Sequence, residues 1–255
     1  MSHRALWLER HARRLKLAWG GLWLVALGLA LQPVSLGIMR AGGVAVTVAL
    51  WVGALLWWWP RKGVRAALLG GALLPLALLL GPGRPADEEA LRAAYLEQLR
   101  SFEGVRYHWG GESRLGIDCS GLVRHGLIRA TLWQGVTTLN PALVRDAAEL
   151  WWFDASAKAL GEQYKGFTAE IGQVDNLNQT PPDLLMPGDV AVTRSGVHTM
   201  AYLGDGVWIE ADPGELRVLV LRAPSPNPWM SVPMRLVRWS RWAKAPTSTA
   251  APQAR

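Results

Sequence analysis

The chain has 255 residues, half of them hydrophobic, which is enough for one sizeable core or for a smaller core with membrane spans. A charged fraction of 18% with a mean hydropathy of +0.11 excludes a wholly disordered chain or a coiled coil, and one cysteine excludes a disulfide framework or a multi-cysteine metal site. The net charge of +7 is unevenly spread: residues 1–84 hold ten Lys/Arg and one acid, residues 85–255 seventeen and nineteen, so no basic surface remains on the larger part to bind nucleic acid.

Residues 1–16 form a basic segment, and three uncharged stretches follow: Leu17–Met39, Ala41–Pro60 and Ala66–Gly83. As helices they reach roughly 35, 30 and 27 Å, close to the thickness of a hydrocarbon core. Trp19, Trp23 and Trp57 to Trp59 lie toward their ends, where indole rings favour the membrane interface. The third stretch is the shortest and contains Gly70, Gly71 and Pro75, so a re-entrant segment is its alternative. Arg4, Arg10, Arg13, Arg14, Lys16, Arg61, Lys62 and Arg65 fall on one side of the spans, Arg40 and Arg84 on the other. This asymmetry predicts a cytoplasmic N-terminus and, after three spans, residues 85–255 on the far side of the inner membrane.

The remainder reads as helices first and strands later, the pattern of an α+β domain over residues 87–242. Asp87 caps a predicted helix to Phe102 that buries Leu91, Tyr95, Leu99 and Phe102. A second helix runs from Asp118 to Thr131, and Asn140-Pro141 opens a third to about Trp152. A short helix is expected from Ala157 to Tyr164, and a loop from Gly172 to Pro182. Strands are predicted at Val190–Thr193, His198–Leu203, Val207–Ala211, Leu216–Leu221 and Met234–Trp239. Residues 243–255, rich in Ala, Pro, Ser and Thr, read as a disordered tail.

Cys119 stands where the second helix begins, and there unpaired N–H groups and the helix dipole favour a thiolate. A free cysteine is as readily a buried structural residue; it becomes a candidate nucleophile when a base is near. His198 can be that base. A three-residue loop Gly204–Gly206 pairs Leu203 with Val207 and places His198, Met200, Tyr202, Trp208, Glu210 and Asp212 on one sheet face. Glu210 then lies diagonal to His198, roughly 7–8 Å away between backbones, and Asp212 directly opposite it is the rival orienting group.

Tyr107-His108-Trp109-Gly110-Gly111, Asp118-Cys119-Ser120-Gly121-Leu122, Pro187-Gly188-Asp189-Val190 and His198…Tyr202-Leu203-Gly204 together resemble the NlpC/P60 family, papain-like cysteine peptidases of the bacterial cell wall. The resemblance covers about residues 87–241. It implies Cys119 as nucleophile, His198 as base and Glu210 as the residue orienting His198. It also implies Tyr107, Asp118 and Ser120 at the substrate, no metal and no organic cofactor. The activity implied is hydrolysis of peptidoglycan stem peptides, usually between D-glutamate and the following diamino acid. Other thiol-dependent amide or acyl transfer, or a non-catalytic wall-binding module, are the alternatives. Two departures stand out. Glu210 occupies a position most often held by histidine, and 79 residues separate Cys119 from His198, more than the family's usual interval. The excess, about residues 132–182, can wall the cleft, while Trp133, Trp151, Trp152 and Phe153 are expected to pack an inserted helical pair.

Overall fold

The computed structural model describes residues 3–243; the tail from 244 onward and the first two residues of the basic segment lie outside the described residues. Three N-terminal helices are long and apolar enough to cross a membrane: α1 (His3–Leu31), α2 (Gly37–Trp57) and α3 (Lys62–Leu80). The uncharged run 17–39 is not one helix. Pro33 lacks an N–H and disfavours helical geometry at Gln32, so α1 stops at Leu31 and a short turn leads into α2. Arg40, expected between two spans, consequently lies in the first turn of α2, and it is buried at 4% exposure.

Beyond Gly81 the chain forms α4 (Glu88–Arg100), the two-residue strands β1 (Glu112–Ser113) and β2 (Gly116–Ile117), α5 (Cys119–Thr137), α6 (Pro141–Trp152) and α7 (Ala157–Gly161). Then follow β3 (Thr168–Val174), β4 (Val190–Thr193), β5 (Thr199–Gly204), β6 (Val207–Asp212), β7 (Arg217–Arg222) and β8 (Met234–Trp239). The caps are those the sequence offers. Asp87 accepts from Ala90 N–H at 2.9 Å, and Asn140 accepts from Ala142 N–H at 3.2 Å with Pro141 at the first helical position. Such caps contribute about 1 kcal/mol each.

β3 to β8 form one antiparallel sheet in the order β3-β8-β4-β5-β6-β7, which makes the domain α+β. β3 begins before the expected loop and runs into it. A bulge between Glu170 and Gly172 interrupts its pairing with β8, and with it the two-residue alternation that marks a strand in sequence. Val190, Val192, Ala201, Leu203, Ile209 and Ala211 face α4 and α5, where Tyr95, Leu99, Leu122 and Val123 complete the main core. Ala191, Met200, Tyr202, Trp208 and Leu236 face the other way and are covered by Leu177, Leu185 and Met230 from the connecting segments.

The β5–β6 hairpin keeps the expected pairing of Ala201 with Ile209 and Tyr202 with Trp208, but closes differently. Gly204, not Leu203, faces Val207, across a two-residue turn in which Asp205 and Gly206 have φ of 51° and 72°. Both take left-handed geometry, which aspartate tolerates and glycine favours. A bulge at Leu203 absorbs the extra residue, so the two faces sort as the three-residue loop would sort them.

Candidate active site

Asp118 fixes the start of α5. Its Oδ1 accepts from Gly121 N–H at 2.6 Å and Ser120 Oγ–H at 3.1 Å, and its Oδ2 accepts from Gly110 N–H at 2.8 Å. Its own N–H donates to Gly111 O at 3.1 Å, so one residue caps the helix and staples the Gly110–Gly111 loop to it. A Cβ at Gly121 would collide with the Gly111 carbonyl oxygen, which explains glycine there.

Cys119, the first residue of α5, is 8% exposed. Burial, and then the neighbouring Asp118 carboxylate, push its thiol up to about 12, against hydrogen bonds from backbone groups of Thr199, Ser120 and Cys119 itself. Desolvation and an adjacent negative charge oppose the helix terminus, which favours a thiolate.

His198 precedes β5 and is 1% exposed. Its Nε2 lies 2.5 Å from Oε2 of Glu210, and its ring stacks on Trp229 with centroids 4.3 Å apart and planes at 19°. Thr193 holds the backbone, with Oγ1 accepting from His198 N–H at 3.1 Å and its own N–H donating to His198 O at 3.0 Å. Glu210, on β6, is fully buried, and its Oε1 has no hydrogen-bond partner among the described residues. Burial raises this carboxyl above the usual range, while the bond and charge of His198 pull it down. Asp212 also raises Glu210, but its oxygens are engaged by other groups: Oδ1 accepts from Gly214 N–H at 2.6 Å and Glu215 N–H at 3.1 Å, and Oδ2 accepts from Asn227 Nδ2 at 2.8 Å. The fold thus joins His198 to Glu210 and sets Cys119 against Thr199, one residue along; no hydrogen bond links thiol and imidazole among the described residues.

A cleft of about 430 Å³ opens over Cys119, lined by Tyr107, Asp118 and Ser120, the three residues expected at the substrate. Burial first, then the neighbouring Cys119 and Asp118, push the Tyr107 hydroxyl up to about 12, so it stays a hydrogen-bond donor. Asp154, Ser156 and Ala157 from the inserted region form part of the rim, as do Val197 and, from the α1–α2 turn, Ser35 and Leu36. The aromatics of the insertion do not all pack inward: Trp133 is 69% exposed and Trp152 47%.

Sequence reasoning missed a buried ion cluster under the cleft. Glu112 bonds Arg124 through Oε1 and Arg40 through Oε2 at 2.7 Å, and Arg124 also reaches Asp154 Oδ1 at 2.7 Å and Leu150 O at 2.7 Å. Burial raises the Glu112 carboxyl despite both guanidinium groups. Losing one partner of such a pair costs about 3–5 kcal/mol. Its one signal in the sequence was an arginine, Arg40, within otherwise uncharged residues. Trp229 was also missed, because nothing in the loop Pro224–Met230 points to His198.

A cysteine opening a helix, packed on an antiparallel sheet that carries a histidine in contact with a carboxylate, defines the papain-like class. The chain belongs to the NlpC/P60 family, whose family model matches residues 104–235. Similar solved structures include the P60 domain of an antigen from M. avium subspecies paratuberculosis, 23% identical, covering 60% of this chain and 97% of that one at a TM-score of 0.37. The peptidoglycan hydrolase RipB from Mycobacterium tuberculosis is 21% identical, with 69% and 88% covered and a TM-score of 0.38. NlpC2 from Trichomonas vaginalis is 15% identical, with 61% and 49% covered and a TM-score of 0.37, so the chain spans about half the length of that protein. No curated protein matches the sequence.

Proposed function

We propose that the chain is a membrane-anchored cysteine endopeptidase that hydrolyses amide bonds of peptidoglycan stem peptides at the D-glutamyl–diamino acid bond. Residues 87–242 are its catalytic domain. Membership of the NlpC/P60 family supports the reaction class. The observation that carries the site assignment is the buried His198–Glu210 contact beside the strand residue that meets Cys119.

In this reading Cys119 Sγ attacks the peptide carbonyl as His198 takes the thiol proton, since a neutral thiol needs a base at the moment of attack. Glu210 occupies Nε2, which leaves Nδ1 as the nitrogen that handles this proton. The Cys119 backbone N–H, which has no intrahelical acceptor at a helix start, helps hold the oxyanion. The amine leaves with the proton from His198, and water, deprotonated by the same ring, releases the thioester as a carboxylate. Tyr107, Asp118 and Ser120 bind the peptide beside the thiol.

The same proposal places α1, α2 and α3 across the inner membrane with the domain outside. Two contacts support this topology. The α1–α2 turn meets the domain through Ser35 and Arg40, and the end of α3 meets it through Leu79 and Gly81, whose carbonyls accept from Arg145. Both are ends that the charge asymmetry assigns to the extracytoplasmic side.

Incubating the purified full chain in detergent with defined muropeptides and weighing the products tests the reaction. A split after D-glutamate, lost in Cys119→Ala, is expected. An intact muropeptide, or equal turnover by Cys119→Ala, would remove the assignment.

A further inference from the structure

The turn between two membrane-type helices needs only to reverse the chain. Here it does more. Ser35 N–H donates to Gly110 O at 3.0 Å, Glu112 N–H donates to Pro33 O at 3.1 Å, and Val34 lies opposite Gly111 in an antiparallel bridge. The other edge of Gly110–Gly111 is bonded to Asp118, the cap of the Cys119 helix. One short backbone segment therefore holds the turn on one side and the start of α5 on the other.

Arg40 locks this arrangement. Its Nε donates to Ser35 Oγ at 3.0 Å, Nη2 donates to Ser35 O and Glu112 Oε2, both at 2.7 Å, and Nη1 donates to Trp151 O at 2.6 Å. A guanidinium buried to this extent is sustained only by such full pairing. Leu36, by contrast, is 39% exposed and lines the cleft with Ser35. Asp154, Ser156 and Val197 also line the cleft. Without the turn, one side of the cleft would be missing.

We infer that the α1–α2 turn is a wall of the Cys119 cleft, with Leu36 and Ser35 contacting the bound peptide and Arg40 acting as a positioning residue. The identity of that peptide rests on the peptidase reading; the wall itself does not. The hairpin is then part of the binding site as well as an anchor, and the domain cut from residues 1–84 has an incomplete cleft.

Cys119 is the only cysteine, so alkylation reports on this cleft alone. The full chain in lipid nanodiscs is labelled with iodoacetamide and with a bulky maleimide, and the ratio of the two rates is read. Leu36→Trp narrows the cleft and is expected to slow the maleimide at least tenfold relative to iodoacetamide. Leu36→Gly widens it and is expected to move the ratio the opposite way. Ile38→Trp, on an exposed residue of α2 outside the lining, serves as control. Arg40→Gln is expected to raise KM for a muropeptide about fivefold with kcat within twofold, and Arg40→Lys, which keeps the charge beside Glu112, to recover part of it. Ratios for both Leu36 variants equal to that of Ile38→Trp would overturn the wall. A wild-type chain that cleaves no muropeptide would sink the peptidase reading, while the labelling ratios still decide this one.

Discussion

Nε2 of His198 lies 2.5 Å from Oε2 of Glu210, both side chains shut off from solvent. Burial raises the Glu210 carboxyl, so folding favours its protonated form. The sign follows from linkage: stability is full below the unfolded value and declines as pH rises through the folded one. Glu210→Gln removes a buried charge and is expected to keep the melting temperature at neutral pH equal or higher. It is also expected to lower kcat/KM by about ten- to a thousand-fold, below the loss known for a neutralised triad carboxylate. Asp212→Asn weakens the Gly214 and Asn227 bonds and should lower the melting temperature with activity within about threefold. Calorimetry and steady-state kinetics on both variants check this. If Asp212→Asn collapses activity and Glu210→Gln spares it, the orienting role belongs to Asp212.

The Cys119 thiol stands near 12 through burial first and Asp118 second. Asp118→Asn keeps an oxygen for the helix cap and removes the charge. The pH at which iodoacetamide labelling reaches half its maximal rate is expected to fall by about one unit. A profile identical to wild type would mean that burial alone sets the thiol.

Trp229 covers one face of the His198 ring. An aromatic pair is worth about 0.5–1.5 kcal/mol, so Trp229→Ala is expected to lower kcat/KM about three- to tenfold, with Trp229→Phe recovering most of it. Equal kinetics for the Ala and Phe variants would show that the stack does not hold the ring.

A phosphatase fused after Trp242 is expected to be active, as it is only outside the cytoplasm. An inactive fusion beside an active cytoplasmic reporter at the same site would show that α3 does not cross.

The helix caps at Asp87 and Asn140, and the faces of β5 and β6, were legible because they depend on neighbours in sequence. The β3 strand was not, since its bulge breaks the alternation a reader looks for. Cys119 and His198 were expected from their motifs, but the surroundings of the thiol were not: one of its hydrogen bonds comes from the backbone of Thr199, 80 residues away. The contact of Arg40 with Glu112 joins residues 72 apart in sequence, across what pattern alone divides into anchor and domain. No local rule relates the two.

Arg145 Nη1 holds the carbonyls of Leu79 and Gly81 at 3.1 and 2.7 Å, and Arg84 Nη2 holds those of Thr138 and Leu139, both at 2.7 Å. The residues between α3 and α4, 81–87, could stretch to about 25 Å if free, yet these clamps fold them against α5 and α6. With the helices in a bilayer, such a domain has no leash. On the proposed topology and activity it would work at one height, reaching only strands that come down to it, so the depth of cutting would become a dimension written into the protein. Lengthening the segment by a flexible insert would release that ruler and give a hydrolase able to sweep layers the native chain never meets.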